Sequence, residues 1–458
     1  MEAFPCPARV RPARSHLARA SGVLGILCGA WLAAAPAHAF CGFYVGKADA
    51  SLFNSASQVI IARDGPRTVI SMLNDYQGEP REFALVVPVP QVLQRGQVNV
   101  GDRRIFERID AYSSPRLAEY RDDNPCEPRI ALQRALPAAA AGRATTAETD
   151  GRARATGVTV EAHYTVGEYD IAILSARESD GLEVWLRDNG YRLPAGASAA
   201  LAPYLKLGMK FFVARVNLAE HARSGSALLR PLQFAFESEK HMLPLRLGML
   251  NANGPQDLIV YALGRQGRVE ATNYRTVRLP ANVELPGFVK KDFASFYRAM
   301  FDRQAQREGL RAVFTEYVWD TGWCDPCAAD PLTPAELRQA GVFWSDTQRT
   351  VLTRLHVRYT PQTFPEDLML QETRDRANFQ TRYVLRQPWT GPAECDAAAA
   401  YLDQVRQRHD RQARTLSDLT GWELARVLDR MELKPPFAPQ PDSAPWWRSL
   451  WQQSWSTR

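Results

Sequence analysis

The chain has 458 residues, with 56 Lys and Arg against 50 Asp and Glu and a formal net charge of +6. Hydrophobic residues make up 45% and charged residues 23%, the balance of an ordinary globular protein. That excludes a mainly disordered chain, a collagen-like fibre and a polytopic membrane protein.

The N-terminus reads as a signal peptide over residues 1–39. Arg9, Arg11, Arg14 and Arg19 supply a positive segment, residues 23–35 an apolar stretch broken by Pro36, and Ala37-His38-Ala39 an A-x-A cleavage site. The apolar stretch is short for a membrane span. Phe40 before Cys41 and Leu27 before Cys28 do not fit a lipoprotein site. Cleavage near Ala39 is expected, with a periplasmic or extracellular location. The cations of the remainder are nearly all Arg, interleaved with acids, so no nucleic-acid partner is expected. Cys41, Cys126, Cys324, Cys327 and Cys395 stay with the exported part, an odd number. In an oxidising compartment most should pair, and spacing favours only Cys324 with Cys327 as local partners. The pairing of Cys41, Cys126 and Cys395 stays open.

Residues 40–127 read as an N-terminal α+β domain. Strands are expected at 57–63 and 67–73, turned by Asp64-Gly65, and at 83–89. A helix is expected over 104–120, with Ile105, Ile109, Tyr112 and Leu117 on one stripe and Pro115 kinking or interrupting it. Residues 128–157, rich in Ala, Arg and Thr, read as a linker or surface insertion. A central α+β domain follows over 158–310. It has two strands around Gly167, helices at 180–189 and 199–207, strands at 210–218, 233–236, 258–263 and 272–279, and an amphipathic helix at 292–306. A weak echo links 78–85, 254–260 and 365–370, which antiparallel hairpins sharing turn residues explain better than a repeated binding unit.

The C-terminal region, 311–434, opens on a strand at 313–319 and then reads Trp323-Cys324-Asp325-Pro326-Cys327. In thioredoxins a similar motif sits at a helix N-terminus, which lowers the attacking cysteine's pKa. Here Pro331 and Pro334 follow too soon for a long helix. The next helix is expected to start at Thr333 as N-cap, with Pro334 in the first turn and Glu336 closing a capping box. The motif reads first as a structural disulfide, with a redox pair or a metal site (Cys324, Cys327, Cys395 and His356) as lesser alternatives. Strands at 351–359 and 381–385 and helices at 397–416 and 420–431 complete the region. In the Pro- and Trp-rich tail, 435–458, a helix would place Trp447, Leu450, Trp451 and Trp455 on one side. Docking on the protein's own surface is the leading reading of that face. Peripheral membrane contact is the lesser one, since the tail lacks a basic polar face.

Other chemistry finds little support. There is no G-x-S-x-G, H-E-x-x-H, Walker or Rossmann pattern. His356 alternates with Leu355 and Val357 in a strand, where a satisfied or solvent-facing imidazole is expected before a ligand. Glu316, Asp320, Asp325 and Asp330 gather near Trp319 and Trp323, but surface turns and caps explain them more simply than a glycosidase pair.

The segments 41–49 (CGFYVGKAD), 83–90 (FALVVPVP), 164–170 (YTVGEYD), 272–275 (TNYR) and 323–331 (WCDPCAADP) resemble the exported bacterial family called domain of unknown function 2330. The resemblance runs from Cys41 to about Met431. It implies no particular activity, fold or substrate, but it makes WCDPC part of the family's own pattern and not an inserted thioredoxin.

The reading is an α+β fold, mostly antiparallel hairpin-connected sheets with flanking helices and a helical C-terminal region. The expected function is a non-enzymatic exported binding or structural protein of the cell envelope, partnered by an envelope protein or a small ligand, without cofactor or metal. The alternative is a periplasmic thiol–disulfide oxidoreductase, with Cys324 attacking and Cys327 resolving.

Overall fold

Gly65 has φ +61°, the left-handed conformation its Asp-Gly turn demands, and it joins the two longest strands. With elements numbered in chain order, these are β2 (Phe53–Asp64) and β3 (Arg67–Gln77). The computed structural model describes residues 43–46, 53–77, 83–127, 159–176, 179–191, 193–194, 196–224, 229–251, 254–323 and 330–431. The leader, Cys41, the 128–157 stretch, Cys324, Cys327 and the tail with Trp447, Leu450, Trp451 and Trp455 lie outside the described residues.

The hairpin sits inside a nine-stranded sheet. Its order is β14 (Arg275–Arg278), β16 (Ala312–Asp320), β17 (Val351–Tyr359), β12 (Gln256–Gly264), β2, β3, β10 (Leu232–Glu237) and β5 (Val98–Val100), with β19 (Phe379–Gln380) paired to β16. Neighbours are mostly antiparallel, but β14 runs parallel to β16 and β12 parallel to β2, matching Val260 with Val59. A five-stranded antiparallel sheet runs β1 (Phe43–Gly46), β4 (Phe83–Val89), β9 (Lys210–Val216), β8 (Tyr169–Ser175) and β7 (Thr159–Val166). Two three-stranded sheets complete the set: β11 (Met242–Leu243), β18 (Leu368–Glu372), β13 (Val269–Ala271), and β15 (Val283–Leu285), β20 (Arg382–Gln387), β6 (Arg116–Arg121). Strands from the segments expected as N-terminal, central and C-terminal domains therefore share one sheet, and residues 37–458 fall in one compact unit. The boundaries at the linker and at 310 do not separate hydrophobic cores.

The two large sheets pack face to face. Val59, Ile61, Ile70, Val260 and Val357 meet Leu85, Val87, Ile171, Ile173 and Phe212 in one buried cluster. The alternate residues face outward onto helices, because side-chain direction alternates along a strand. On the five-stranded sheet Val86, Leu174 and Phe211 pack against Leu182 and Leu186 of α2 (Ser179–Asp188) and Leu201 and Tyr204 of α3 (Ala197–Lys206). On the large sheet Ile60, Tyr261 and Leu352 pack against Ile105, Phe106 and Ile109 of α1 (Arg103–Ser113) and Leu337 of α6 (Pro334–Gln339). Phe314 and Ala312 meet Phe296, Met300 and Phe301 of α5 (Phe293–Arg307), which also packs on Ala413 and Leu416 of α7 (Ala397–Thr420). The layering is helix, sheet, sheet, helix. The short α4 (Leu218–Ser224) follows β9, and α8 (Leu424–Arg430) follows α7. This is the expected α+β class.

The α6 capping box forms as the sequence predicts: Thr333 Oγ1 accepts from Glu336 N, and Glu336 Oε2 accepts from Thr333 N at 2.7 Å. The helix expected over 104–120 is a correction. α1 stops at Ser113, Ser114 is extended ahead of Pro115, and residues 116–121 form β6. Proline disfavours helix in the residue before it, and β20 supplies a parallel partner for the released chain. Cys126, past the end of β6, is disulfide-bonded to Cys395, just ahead of α7, across 269 residues of sequence. Asp122 reinforces the same junction, accepting from Tyr401 at 2.8 Å and Arg408 of α7 at 2.5 Å.

Candidate functional site

Two features carry the polar and cavity chemistry of the described residues, and their geometry assigns them different work. The first is a buried ionic network between the large sheet and α1 and α5. Pairing of β16 with β17 shifts register between Thr315 and Tyr317, a bulge that puts Glu316 and Tyr317 together on the helix side. Glu316 is wholly buried. Its Oε1 accepts from His356 Nδ1 at 2.8 Å and from the Tyr297 hydroxyl, and its Oε2 accepts from Arg354 Nε. Arg354 Nη1 also donates to Asp110 of α1 at 2.6 Å, and the Tyr261 hydroxyl donates to the same oxygen at 2.7 Å. On the neighbouring strand Asp257 takes both arms of Arg358 at 2.7 Å, and its Oδ1 lies 3.6 Å from His356 Nε2. Phe301 of α5 stacks on the imidazole, centroids 3.7 Å apart.

Burial alone pushes the Glu316 carboxyl up, but the Arg354 charge and then His356 outweigh it and hold it at about 2. Burial likewise opposes a charged His356, yet Glu316 and Asp257 raise its pKa above the ordinary value. Asp257 stays below the usual carboxylate range against its own burial, through Arg358 and His356. The acids and bases are thus matched to one another, and Glu316, Arg354, His356 and Asp257 are buried. The network is a clamp that ties β12, β16 and β17 to α1 and α5. Glu316 is not the turn or cap acid that its spacing suggests.

The second feature is a cleft where the two large sheets part. Ile70 and Met72 of β3 lie beside Phe234 and Phe236 of β10, with Phe234 directly opposite Ile70. Val87, Pro88 and Pro90 form the facing wall. Pro88 lies beyond the pairing of β1 with β4, which stops at Val86, so its missing N–H takes nothing from that pairing. Met209, Met242, Leu243 and Pro244 close a cavity of about 260 Å³. Methionine side chains adapt to irregular shapes, which suits a cavity wall.

Leu207, Lys240 and Met242 are shared with a second cavity of about 310 Å³, lined also by Lys206, Arg246, Asn273, Glu366 and Asp367. This second space has a mostly apolar wall that carries several charged side chains. Asp367 Oδ1 accepts from the Tyr204 hydroxyl at 2.7 Å and from Leu245 N at 2.8 Å, and Arg246 Nε lies 3.8 Å from Oδ2. Asn273 bridges Asp367 O and Met369 N at 2.8 and 3.0 Å, fixing the β18 edge.

The residues singled out in the sequence do not converge here. Cys126 and Cys395 hold each other, and His356 sits in the clamp, so the metal set of Cys324, Cys327, Cys395 and His356 is not assembled. Asp320 accepts from Arg376 at 2.6 Å, and Asp330 lies exposed ahead of α6. Trp323, at the edge of the described residues, is 66% exposed. Among the described residues no group of three metal-binding side chains occurs, and no helix is long and apolar enough to cross a membrane.

The profile of a family described as an uncharacterized protein conserved in bacteria, DUF2330, matches residues 35–371. The chain belongs to this family. The DUF2330 region contains every lining residue of both cavities and the whole clamp, and it stops short of α7, α8 and Cys395. The match ends earlier than the Met431 expected from the sequence segments. No curated protein and no solved structure matches the chain.

Proposed function

We propose that this DUF2330 protein is an exported, non-enzymatic binding protein that takes a small apolar ligand in the cleft between its two large sheets. The observation that carries this reading is the methionine-, phenylalanine- and proline-lined cavity of about 260 Å³, opening beside a second of about 310 Å³. Sites for small ligands are concave, mostly apolar and furnished with a few polar groups, commonly with volumes of about 300–1,000 Å³. Export rests on the Arg-rich leader, and the Cys126–Cys395 bond suits an oxidising compartment.

The test uses the neutral fluorophore N-phenyl-1-naphthylamine on the full exported chain. One saturable site is expected, and Leu207→Trp should weaken it at least tenfold while leaving the circular dichroism unchanged. Leu207 is 49% exposed and lines both cavities, so the larger ring fills the space without opening the core. Absence of binding, or binding indifferent to Leu207→Trp, overturns the reading.

The oxidoreductase remains the second reading, kept open by the exposure of Trp323 beside the motif. Against it, α6 begins at Pro334, so the helix that should activate Cys324 is capped at Thr333 instead. A Cys324–Cys327 bond that stays closed below about −300 mV in a glutathione series is structural; one that opens between about −120 and −270 mV makes it redox-active.

A further inference from the structure

We infer that the ligand is a single-chain amphiphile with an anionic head group, its tail in the methionine-lined cavity and its head in the second one. The inference rests on the binding-protein reading and deepens it. Both cavities have mostly apolar walls and share Leu207, Lys240 and Met242, but the second adds Lys206, Arg246, Asn273, Glu366 and Asp367. Within a single occupant, that arrangement matches an apolar body joined to a polar end.

The sign of the head follows from the charges. Lys206, Lys240 and Arg246 line the second cavity. Among the described residues neither lysine has an acidic partner within ion-pair distance, whereas many arginines do. Arg246 Nε is buried without a hydrogen-bond acceptor, and its one carboxylate neighbour lies 3.8 Å away. The two acids of the cavity are already engaged. Asp367 Oδ1 accepts from Tyr204 and the backbone N–H groups of Leu245 and Arg246, its Oδ2 faces Arg246, and Glu366 accepts from Asn273 at 3.3 Å. Positive donors are left over, and a carboxylate or phosphate would use them. Lys206 and Lys240 are exposed, so a neutral head would gain nothing from their charges and a cationic head would be repelled by them.

Dodecanoate, dodecyl phosphate and dodecanol are titrated into the full exported chain by displacement of N-phenyl-1-naphthylamine, and inorganic phosphate is titrated alone. Both anions should bind at least tenfold more tightly than the alcohol. Lys206→Gln with Lys240→Gln should remove about tenfold or more of that advantage while leaving dodecanol unchanged. Raised salt should narrow the gap in the same direction. Equal affinity for the alcohol and both anions, or an advantage that survives the double substitution, overturns the inference and leaves the cleft reading standing. Phosphate that competes as well as dodecyl phosphate also overturns it, since the tail would then contribute nothing. If the fluorophore itself does not bind, the cleft reading fails first.

Discussion

Replacing Glu316 with Gln tests whether the buried network is a clamp. The substitution keeps the side chain's size and removes its charge, leaving Arg354 with Asp110 and His356 with Asp257. The structure sets the magnitude. A carboxyl held at about 2 against an ordinary 4.5 corresponds to about 3 kcal/mol of folding free energy. That agrees with the about 3–5 kcal/mol typical of breaking a buried ion pair from one side. The pH dependence fixes the cause. Because the folded pKa of Glu316 is lowered, its contribution is complete above about 4.5 and is lost as pH falls toward about 2. His356 runs the other way: its pKa is raised, so its contribution is complete below about 6.5 and fades as pH rises through the folded value. Wild type should therefore be most stable between about pH 4.5 and 6.5 on these two groups. Urea midpoints followed by tryptophan fluorescence at a series of pH values make the measurement. The Glu316→Gln deficit should be largest near pH 6 and narrow below pH 4.5. An unchanged midpoint near pH 6, or a deficit that stays constant on acidification, would refute the account.

Two further outcomes follow from the fold. Cys126→Ser with Cys395→Ser should cost up to about 5 kcal/mol on chain entropy, since the bond closes 269 residues. Limited proteolysis should then cut first around α7, and a cleavage pattern identical to wild type would count against the disulfide as the anchor of that helix. Gly167→Ala should destabilise by about 1–3 kcal/mol, because φ is +55° and a Cβ would meet Val100 at 2.8 Å and Arg230 at 2.9 Å. Arg230 holds the fully buried Glu168 at 2.6 Å in the same turn, so a melting temperature equal to wild type would mean that this hairpin tip is not the fixed point it looks.

Local chemistry was legible in the sequence and long-range partnership was not. Asp64-Gly65 and Thr333-Pro334-x-Glu336 declare a turn and a capped helix from within four residues, and both form. The stripe Ile105, Ile109 and Tyr112 likewise marks the buried face of α1, but Leu117 belongs to a strand whose partner β20 comes some 260 residues later. The order of the nine-stranded sheet depends on pairings such as Val59 with Val260 that no spacing announces. Glu316 was seen among surface acids because its bulge depends on β17. The cleft is not legible in the sequence for the same reason. Ile70, Val87, Met209, Phe234 and Met242 are separately ordinary and gain meaning only where two sheets part. One signal was available: lysine is scarce in this chain, and Lys206 and Lys240 both stand beside apolar residues of the cleft.

The parallel contact of β12 with β2 also sets a clock. The hairpin β2–β3 is complete when residue 77 has been synthesised, yet its open edge waits for residues 256–264, and those in turn wait for 351–359. Contacts so distant make for slow folding. The first half of the chain can cover the faces of its longest strands but leaves both their edges unpaired until residues 232–237 and 256–264 exist. A holdase that shields residues 53–77 during that interval would raise the yield of native protein more than one acting on the C-terminal helices.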